Sequence, residues 1–341
     1  MTLIYFILIL GITVFVHELG HFICAKKSGI YVYEFSIGMG PKLFGFKRKN
    51  DETNYVIRLL PIGGYVQMAG EEIEKDENIP ENKRFQSKSM GKKIITVTAG
   101  VIMNFLLAII LYTIIGFVSG VPSEELYIYE SSNKDIVGSK VLEINNKEVK
   151  VVDISNLYLT TDMLKGKDIV LKLEKDGKTS EVTFDATKVE KDNETSYTYD
   201  FKFSLVRTDS VLRKIFYGFI KVGTTIVQMI ITLWFLITGK VSLSAMSGPV
   251  GIYSLVGEVS SLGFLPLVEL LALICVNVGV INILPIPAFD GGRLLFLIIE
   301  KLRGKPASPK VENTIHAIFF ALLMLLIIVI TFNDLGKIFK W

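Results

Sequence analysis

The chain has 341 residues, half of them hydrophobic, and its 37 basic and 34 acidic side chains nearly cancel to a net charge of +3. Such a balance gives no basic surface for nucleic acid, and the charges avoid several long apolar runs and gather between them, which excludes an ordinary water-soluble domain. The pattern predicts a polytopic α-helical membrane protein carrying one soluble insert. Both cysteines, Cys24 and Cys275, lie in apolar runs and read as small hydrophobes, so neither a disulfide nor thiol chemistry is expected.

The first apolar run, Leu3 to Ala25, is long enough to span a bilayer. It lacks a basic leader and a small-residue cleavage pattern, so it is expected to be retained rather than removed as a signal peptide. Within it stand His17, Glu18, Leu19, Gly20 and His21. On a helix, histidines four residues apart project from one face and can share a metal, with Glu18 beside them. Ionisable side chains inside a membrane are costly enough to mark function by default. Thirteen Lys or Arg residues then fall between Lys26 and Lys93, which places this loop in the cytoplasm and the N-terminus outside. At 1.5 Å per residue the two histidines lie roughly 7 to 14 Å in from the cytoplasmic end.

In the loop, Tyr31 to Ser36 and Asn54 to Leu60 have strand composition. The second leads through Pro61, Ile62, Gly63 and Gly64 into Tyr65, Val66, Gln67 and Met68, a hairpin pattern. Two roles are open for it: packing the loop, or lying beside the active centre with an edge free to pair with an extended peptide. Glu71 to Lys83 reads as a solvated surface segment. Ile94 to Val118 is the second span, where Ala99, Gly100 and Asn104 form a small-residue face carrying an amide; Asn104 has a structural and a catalytic reading.

Gly120 to Asp209 is charged, alternating and rich in turns. Lys140 to Ile144 and Glu148 to Val152 flank Asn145-Asn146-Lys147, Ile154 to Leu164 reads as a helix, and Asp168 to Leu173 and Ser180 to Phe184 flank Asp176-Gly177. Tyr197, Tyr199, Phe201, Phe203 and Leu205 alternate as one strand. A β-β-α-β-β-β domain of about 90 residues outside the membrane follows. Val211 to Thr238 is long enough to cross, yet Arg213, Lys214, Tyr217, Lys221, Thr224, Thr225, Gln228 and Thr232 recur along one face, which suits a helix lying in the interface. Ser247 to Gly251 breaks it.

Phe264 to Leu284 is the next span and runs into Pro285, Ile286, Pro287, Ala288, Phe289, Asp290, Gly291 and Gly292. The prolines stop the helix, the glycines permit a sharp bend, and such backbone at membrane depth belongs inside the protein or along a wet cavity. A carboxylate there is the natural third metal ligand, the alternative being an ordinary cytoplasmic turn. Glu300 to Lys310 is cytoplasmic, Ala317 to Phe332 spans again, and His316 reads as packing or interfacial. If Asp290 is to meet His17 and His21, the spans that carry them must run in the same direction, so Val211 to Thr238 must not cross. Four spans result.

The His17-Glu18-Leu19-Gly20-His21 and Asn282…Pro285-x-Pro287…Asp290-Gly291-Gly292 blocks resemble the paired zinc motifs of the site-2 protease family. Ser247-Gly248-Pro249-Val250-Gly251-Ile252 and the domain between the second and third spans resemble its PDZ-containing bacterial RseP/RasP-type branch. The resemblance implies Zn2+ held by His17, His21 and Asp290, Glu18 as the general base, and substrate contacts from Asn104, Asn282, Gly63, Gly64, Tyr65 and Val66. It implies four transmembrane helices (3–25, 94–118, 264–284 and 317–332), a membrane-associated β-hairpin at 54–68, an extracytoplasmic PDZ-like α+β domain at 120–209 and interfacial helices at 210–262. The membrane-domain parts are then 1–119 and 263–341, set in the lipid bilayer of a bacterial cytoplasmic membrane. Partners would be transmembrane protein substrates already trimmed outside, such as anti-sigma factors and signal-peptide remnants. Val101 stands where that family often has proline and Phe289 where leucine is usual, and the Gly-rich carboxylate-binding loop of a PDZ domain is poorly matched in Gly120 to Ser139. The domain is therefore expected to exclude substrates with folded ectodomains rather than to capture peptide ends. Two alternatives stand beside this reading: a membrane zincin of another family, usually completed by glutamate, and a non-catalytic PDZ scaffold, against which the intact Glu18 argues.

The charge distribution yields a test of sidedness. In intact cells a membrane-impermeant thiol reagent should modify a cysteine placed at Asp176 and spare one at Lys305. The reverse pattern inverts the topology.

Overall fold

The computed structural model describes residues 1–70, 78–149, 163, 166–191, 194–241, 246–305 and 308–339. Two compact units emerge: Met1–Leu111 with Phe235–Trp341, and Tyr112–Trp234. The long helices are α1 (Thr2–Lys27), α2 (Met90–Ser119), α3 (Val211–Ile237), α4 (Pro249–Ser261), α5 (Phe264–Ile283), α6 (Asp290–Arg303) and α7 (Pro309–Phe339). Among the described residues five of them, α1, α2, α3, α5 and α7, are long and apolar enough to cross a membrane by length and composition. That is one more than the four spans expected.

In the first unit, the buried residues of α1 are Phe6, Ile9, Thr13, His17, Gly20, His21 and Ala25. They recur at steps of three and four, so one stripe of the helix faces inward and both histidines lie in it. Phe6 and Ile9 cluster with Leu267 and Leu270 of α5, Thr13 Oγ1 lies 3.5 Å from Cys275 Sγ, and His17 and His21 meet Asp290 just past the end of α5. The partner numbers rise together, so α1 and α5 run in the same direction. Against α2 they run oppositely, His21 facing Thr96 and His17 facing Asn104.

Between α1 and α2 lie β1 (Val32–Lys47) and β2 (Asn54–Met68), paired antiparallel. Pairs run from Val32↔Met68 to Ile37↔Gly64 and again from Lys42↔Arg58 to Lys47↔Asn54, while Glu34 to Ile37 also lie beside Asn54 to Ile57. The sheet is thus larger than a hairpin confined to 54–68, because β1 continues through Lys47. At its base Ala25, Ile30, Val32, Phe35, Val66 and Met68 form a core with the end of α1. Farther out Met39, Leu43, Phe44, Phe46, Leu59 and Leu60 are exposed apolar side chains. Arg58 ties the sheet across itself, donating to Glu34 Oε1 at 2.6 Å and to Gly40 O at 2.9 Å. Burial alone would raise the Glu34 carboxyl, but the Tyr65 hydroxyl and the Arg58 guanidinium hold it below its ordinary range.

The Ser247-Gly248-Pro249-Val250-Gly251 break has a specific cause. Pro249 opens α4 at a position where its missing N–H costs nothing, and the buried Asp334 of α7 accepts from the Gly248 N–H at 2.9 Å and the Gly251 N–H at 2.8 Å. A Cβ on Gly248 would lie 2.9 Å from that carboxylate, so the close approach needs glycine.

In the second unit a six-stranded sheet has the order β10-β3-β4-β6-β7, with β5 on β4. Its strands are β3 (Val121–Glu130), β4 (Lys140–Ile144), β5 (Lys147–Glu148), β6 (Ile169–Lys175), β7 (Lys178–Phe184) and β10 (Lys202–Thr208); β8 (Thr187–Lys191) and β9 (Glu194–Thr198) form a separate hairpin. Leu126, Ile128, Val141, Ile144, Leu171, Phe184 and Phe203 share its core. The expected turns are present, with positive φ at Asn145, Asn146, Asp176 and Gly177, as tight hairpins require. The strand expected from Tyr197 to Leu205 is divided. Tyr199 donates to Lys167 O at 2.7 Å and Asp200 accepts from the Ser132 N–H at 3.1 Å, which turns the chain between β9 and β10. The helix expected at Ile154 to Leu164 lies, apart from Met163, outside the described residues, as do 71–77 of the expected surface segment.

The polar stripe of α3 turns toward the end of α2 rather than standing free. Lys214 Nζ lies 5.9 Å from the Phe117 ring centroid and Lys221 Nζ 5.9 Å from that of Tyr112.

Removing the Asp334 acceptor should cost about 1–3 kcal/mol for each orphaned N–H. Asp334→Leu in detergent should therefore lower the thermal unfolding midpoint more than Asp334→Asn, which keeps an acceptor oxygen. Equal midpoints for both variants and the native protein would remove this contact from the account.

Candidate metal centre

The centre is built on the inward stripe of α1. His17 Nε2 lies 3.0 Å and His21 Nε2 3.2 Å from Asp290 Oδ2, and the two nitrogens are 3.2 Å apart. Asp290 is the first residue of α6, placed there because Leu284 to Phe289 breaks the helical path after α5. A carboxylate in a first helical turn also gains from the helix dipole.

His21 is oriented by its other nitrogen, with Nδ1 2.8 Å from the Thr96 carbonyl. That oxygen can only accept, so Nδ1 carries the proton and Nε2 presents a lone pair. His17 Nδ1 faces the Asn104 amide at 3.3 Å, and Asn104 Oδ1 is buried without a partner. The oxygen and nitrogen of an amide have the same outline, and with the oxygen toward the ring it accepts from an Nδ1–H. His17 then presents Nε2 in the same way. Asn104, with its structural and its substrate reading, is fully buried and faces His17.

These donors fit zinc. Asp290 Oδ2 is buried without a hydrogen bond among the described residues, although two imidazole nitrogens lie beside it. Two Nε2 lone pairs and a carboxylate oxygen converging on one point repel one another unless a cation lies among them. Ligands about 2.0–2.1 Å from a tetrahedral zinc stand roughly 3.3 Å apart, close to the spacing seen. Histidine and carboxylate without thiolate is a donor set of catalytic rather than structural zinc.

Two glycines admit this packing. A Cβ on Gly100 of α2 would lie 2.4 Å from His21 Nε2 and 2.7 Å from His17 Nε2, so no larger residue fits there. A Cβ on Gly64 of β2 would lie 3.1 Å from Glu18 Cγ and 2.8 Å from Ser36 O. The sheet therefore reaches Glu18, which is half-buried one residue beyond His17. Of the other residues expected at the substrate, Gly63 has φ +83°, Tyr65 donates to Glu34 Oε1 at 2.5 Å, Val66 is in the core at the base of the sheet, and Asn282 is half-buried near the end of α5. The orienting Thr96 carbonyl carries no signal in sequence, because any residue supplies one. His316, which reads as packing or interfacial, reaches the Asp290 loop: Ala288 donates its N–H to His316 Nδ1 at 3.2 Å.

The family model described as peptidase family M50 matches residues 5–326. The zinc metalloprotease RasP of Bacillus licheniformis is 33% identical over 99% of this chain and 99% of its own length. The protein of the same name in Shouchella clausii is 35% identical over 99% and 100%. The regulator of sigma-W protease RasP of Bacillus subtilis is 30% identical over 99% of both. With its two motif blocks brought to one point and its whole length matched, the chain belongs to peptidase family M50.

Proposed function

We propose that this protein is an intramembrane zinc metalloprotease that cleaves peptide bonds within the membrane-spanning segments of single-span proteins. The observation that carries the reading is the convergence of His17 Nε2, His21 Nε2 and Asp290 Oδ2 within 3.2 Å beside Glu18, with the histidines on α1 and the carboxylate just past the end of α5, two helices of membrane-spanning length. His17, His21 and Asp290 would hold the metal. Zinc in a three-ligand site supplies a Lewis acid that lowers the pKa of water to about 7 and polarises a carbonyl.

Glu18 takes the proton of the attacking water and returns it to the leaving amine. Asn104 and the Thr96 carbonyl hold the two imidazoles in the tautomer that aims Nε2 inward, as partners of ligating histidines do. A helical substrate hides its peptide bonds in its own ladder and must be unwound before attack. The segment Gly63 to Val66 and Asn282 are assigned to the backbone groups thus freed, the strand by edge pairing with an extended peptide. Gly64 brings that strand to Glu18 and so to the point of attack. The relatives' names, zinc metalloprotease and regulator of sigma-W protease, support a zinc protease with a regulatory role.

Four crossings are proposed although five helices qualify. Since α1 and α5 share a direction and α2 opposes α1, the segments between α2 and α5 must cross an even number of times. The 13 residues of α4 reach only about 20 Å at 1.5 Å per residue, short of a hydrocarbon core of about 30 Å. So α3 does not cross either. The sheet domain is proposed as PDZ-like and extracytoplasmic, with the metal near the cytoplasmic face.

Glu18→Gln should retain zinc while losing roughly 100- to 10,000-fold in cleavage rate. Asp290→Ala and Gly100→Ala should both lose zinc, the first by deleting a ligand and the second by driving a methyl into the imidazoles. Zinc analysis and cleavage of a trimmed single-span substrate in the same membranes check all three. Native turnover by Glu18→Gln refutes its role, and full zinc in Asp290→Ala removes that residue from the ligands.

A further inference from the structure

The remaining histidine lies outside the metal cluster, at the start of the membrane part of α7. Its Nδ1 receives the Ala288 N–H at 3.2 Å. A backbone N–H can only donate, so Nδ1 is unprotonated and the proton of the neutral ring resides on Nε2, which is buried without a hydrogen-bond partner among the described residues, Glu312 Oε1 standing 4.0 Å away. The ring also packs against Phe296 of α6, with centroids 5.6 Å apart.

Ala288 is unusual in itself. It stands at φ +114°, a region that residues with a Cβ rarely adopt and that is strained when they do. Such a conformation persists only where surrounding contacts impose it. Ala288 is two residues before Asp290 and follows Pro287, whose ring fixes its own φ. The conformation at 288 therefore decides where the chain delivers the Asp290 carboxylate.

We propose that His316 is a positioning residue for the metal centre: by accepting the Ala288 N–H it locks the strained turn that aims Asp290 at His17 and His21. The inference rests on Asp290 being a ligand. With the acceptor gone, Ala288 loses the contact opposing its relaxation to negative φ, and the carboxylate two residues on moves with it. The histidine stands outside the cluster of His17, His21 and Asp290.

The test uses the full-length protein in detergent, with zinc affinity measured by competition against a chelator and cleavage resolved into kcat and KM. His316→Leu should bind zinc roughly 10- to 100-fold more weakly, the usual loss when a partner outside the ligand set is removed, and should lower kcat with KM unchanged. His316→Asn, whose side-chain oxygen can stand near the lost Nδ1, should recover most of the affinity. Glycine adopts φ +114° without strain, so in an Ala288→Gly background His316→Leu should cost much less than in the native chain. Equal losses in both backgrounds, or no recovery with asparagine, would show that the ring acts by packing alone and overturn the proposal. Native affinity in His316→Leu overturns it too. An Asp290→Ala control separates the two levels: if that variant keeps its zinc, the ligand reading itself has failed, whereas if it loses zinc while His316→Leu does not, only the role of His316 falls.

Discussion

A carboxylate and two imidazoles share one buried point, and the first unit is arranged around that requirement. Uncompensated charge away from water is expensive, so Asp290 can sit there only against a cation or cationic partners. Meeting the histidines of α1 requires α5 to run parallel to α1 and to stop where they lie. It also requires α2 to come close enough to orient their outer nitrogens, which Gly100 permits by having no side chain. The Thr96 carbonyl at 2.8 Å and the Asn104 amide at 3.3 Å then fix which nitrogen of each ring faces the centre.

The break after α5 follows from the same requirement. A ligand must be delivered by a chain that stops being helical within the protein, and Pro285 and Pro287 ensure that it stops. Freed backbone groups need partners there, and one is found in a side chain from a distant helix, since Ala288 donates to His316. The β1–β2 sheet meets the complementary problem on the other side of α1, where Gly64 lets a strand approach Glu18. Its foot is anchored in a core with Ala25, Ile30 and Val32, so the strand is held in place relative to the helix that bears Glu18.

Much of the centre was legible because its residues are chemically conspicuous where they stand. Histidines spaced i and i+4 in an apolar run, and Asp-Gly-Gly after two prolines, are local patterns that need no tertiary knowledge. The Asn145-Asn146 and Asp176-Gly177 turns were equally plain, since few residues accept positive φ. Other features depend on partners far along the chain. β3 was not foreseen, although Leu126 and Ile128 are fully buried, because Pro122 and Glu125 blur the alternation at its start. Asn104 turned out to face His17, across a helix interface that periodicity cannot report. The stripe on α3 suits a membrane-surface face, but periodicity cannot name the aromatic rings of α2 over which Lys214 and Lys221 lie. A lone histidine 28 residues beyond Ala288 likewise gives no pattern to find.

The central claim is that one zinc ion is held by two imidazoles and one carboxylate. X-ray absorption at the zinc edge of the purified native protein addresses it directly. The account predicts a first shell of nitrogen and oxygen at about 2.0–2.1 Å, with the outer-shell scattering of two imidazole rings. A sulfur shell near 2.3 Å, or a first shell without imidazole, would contradict it.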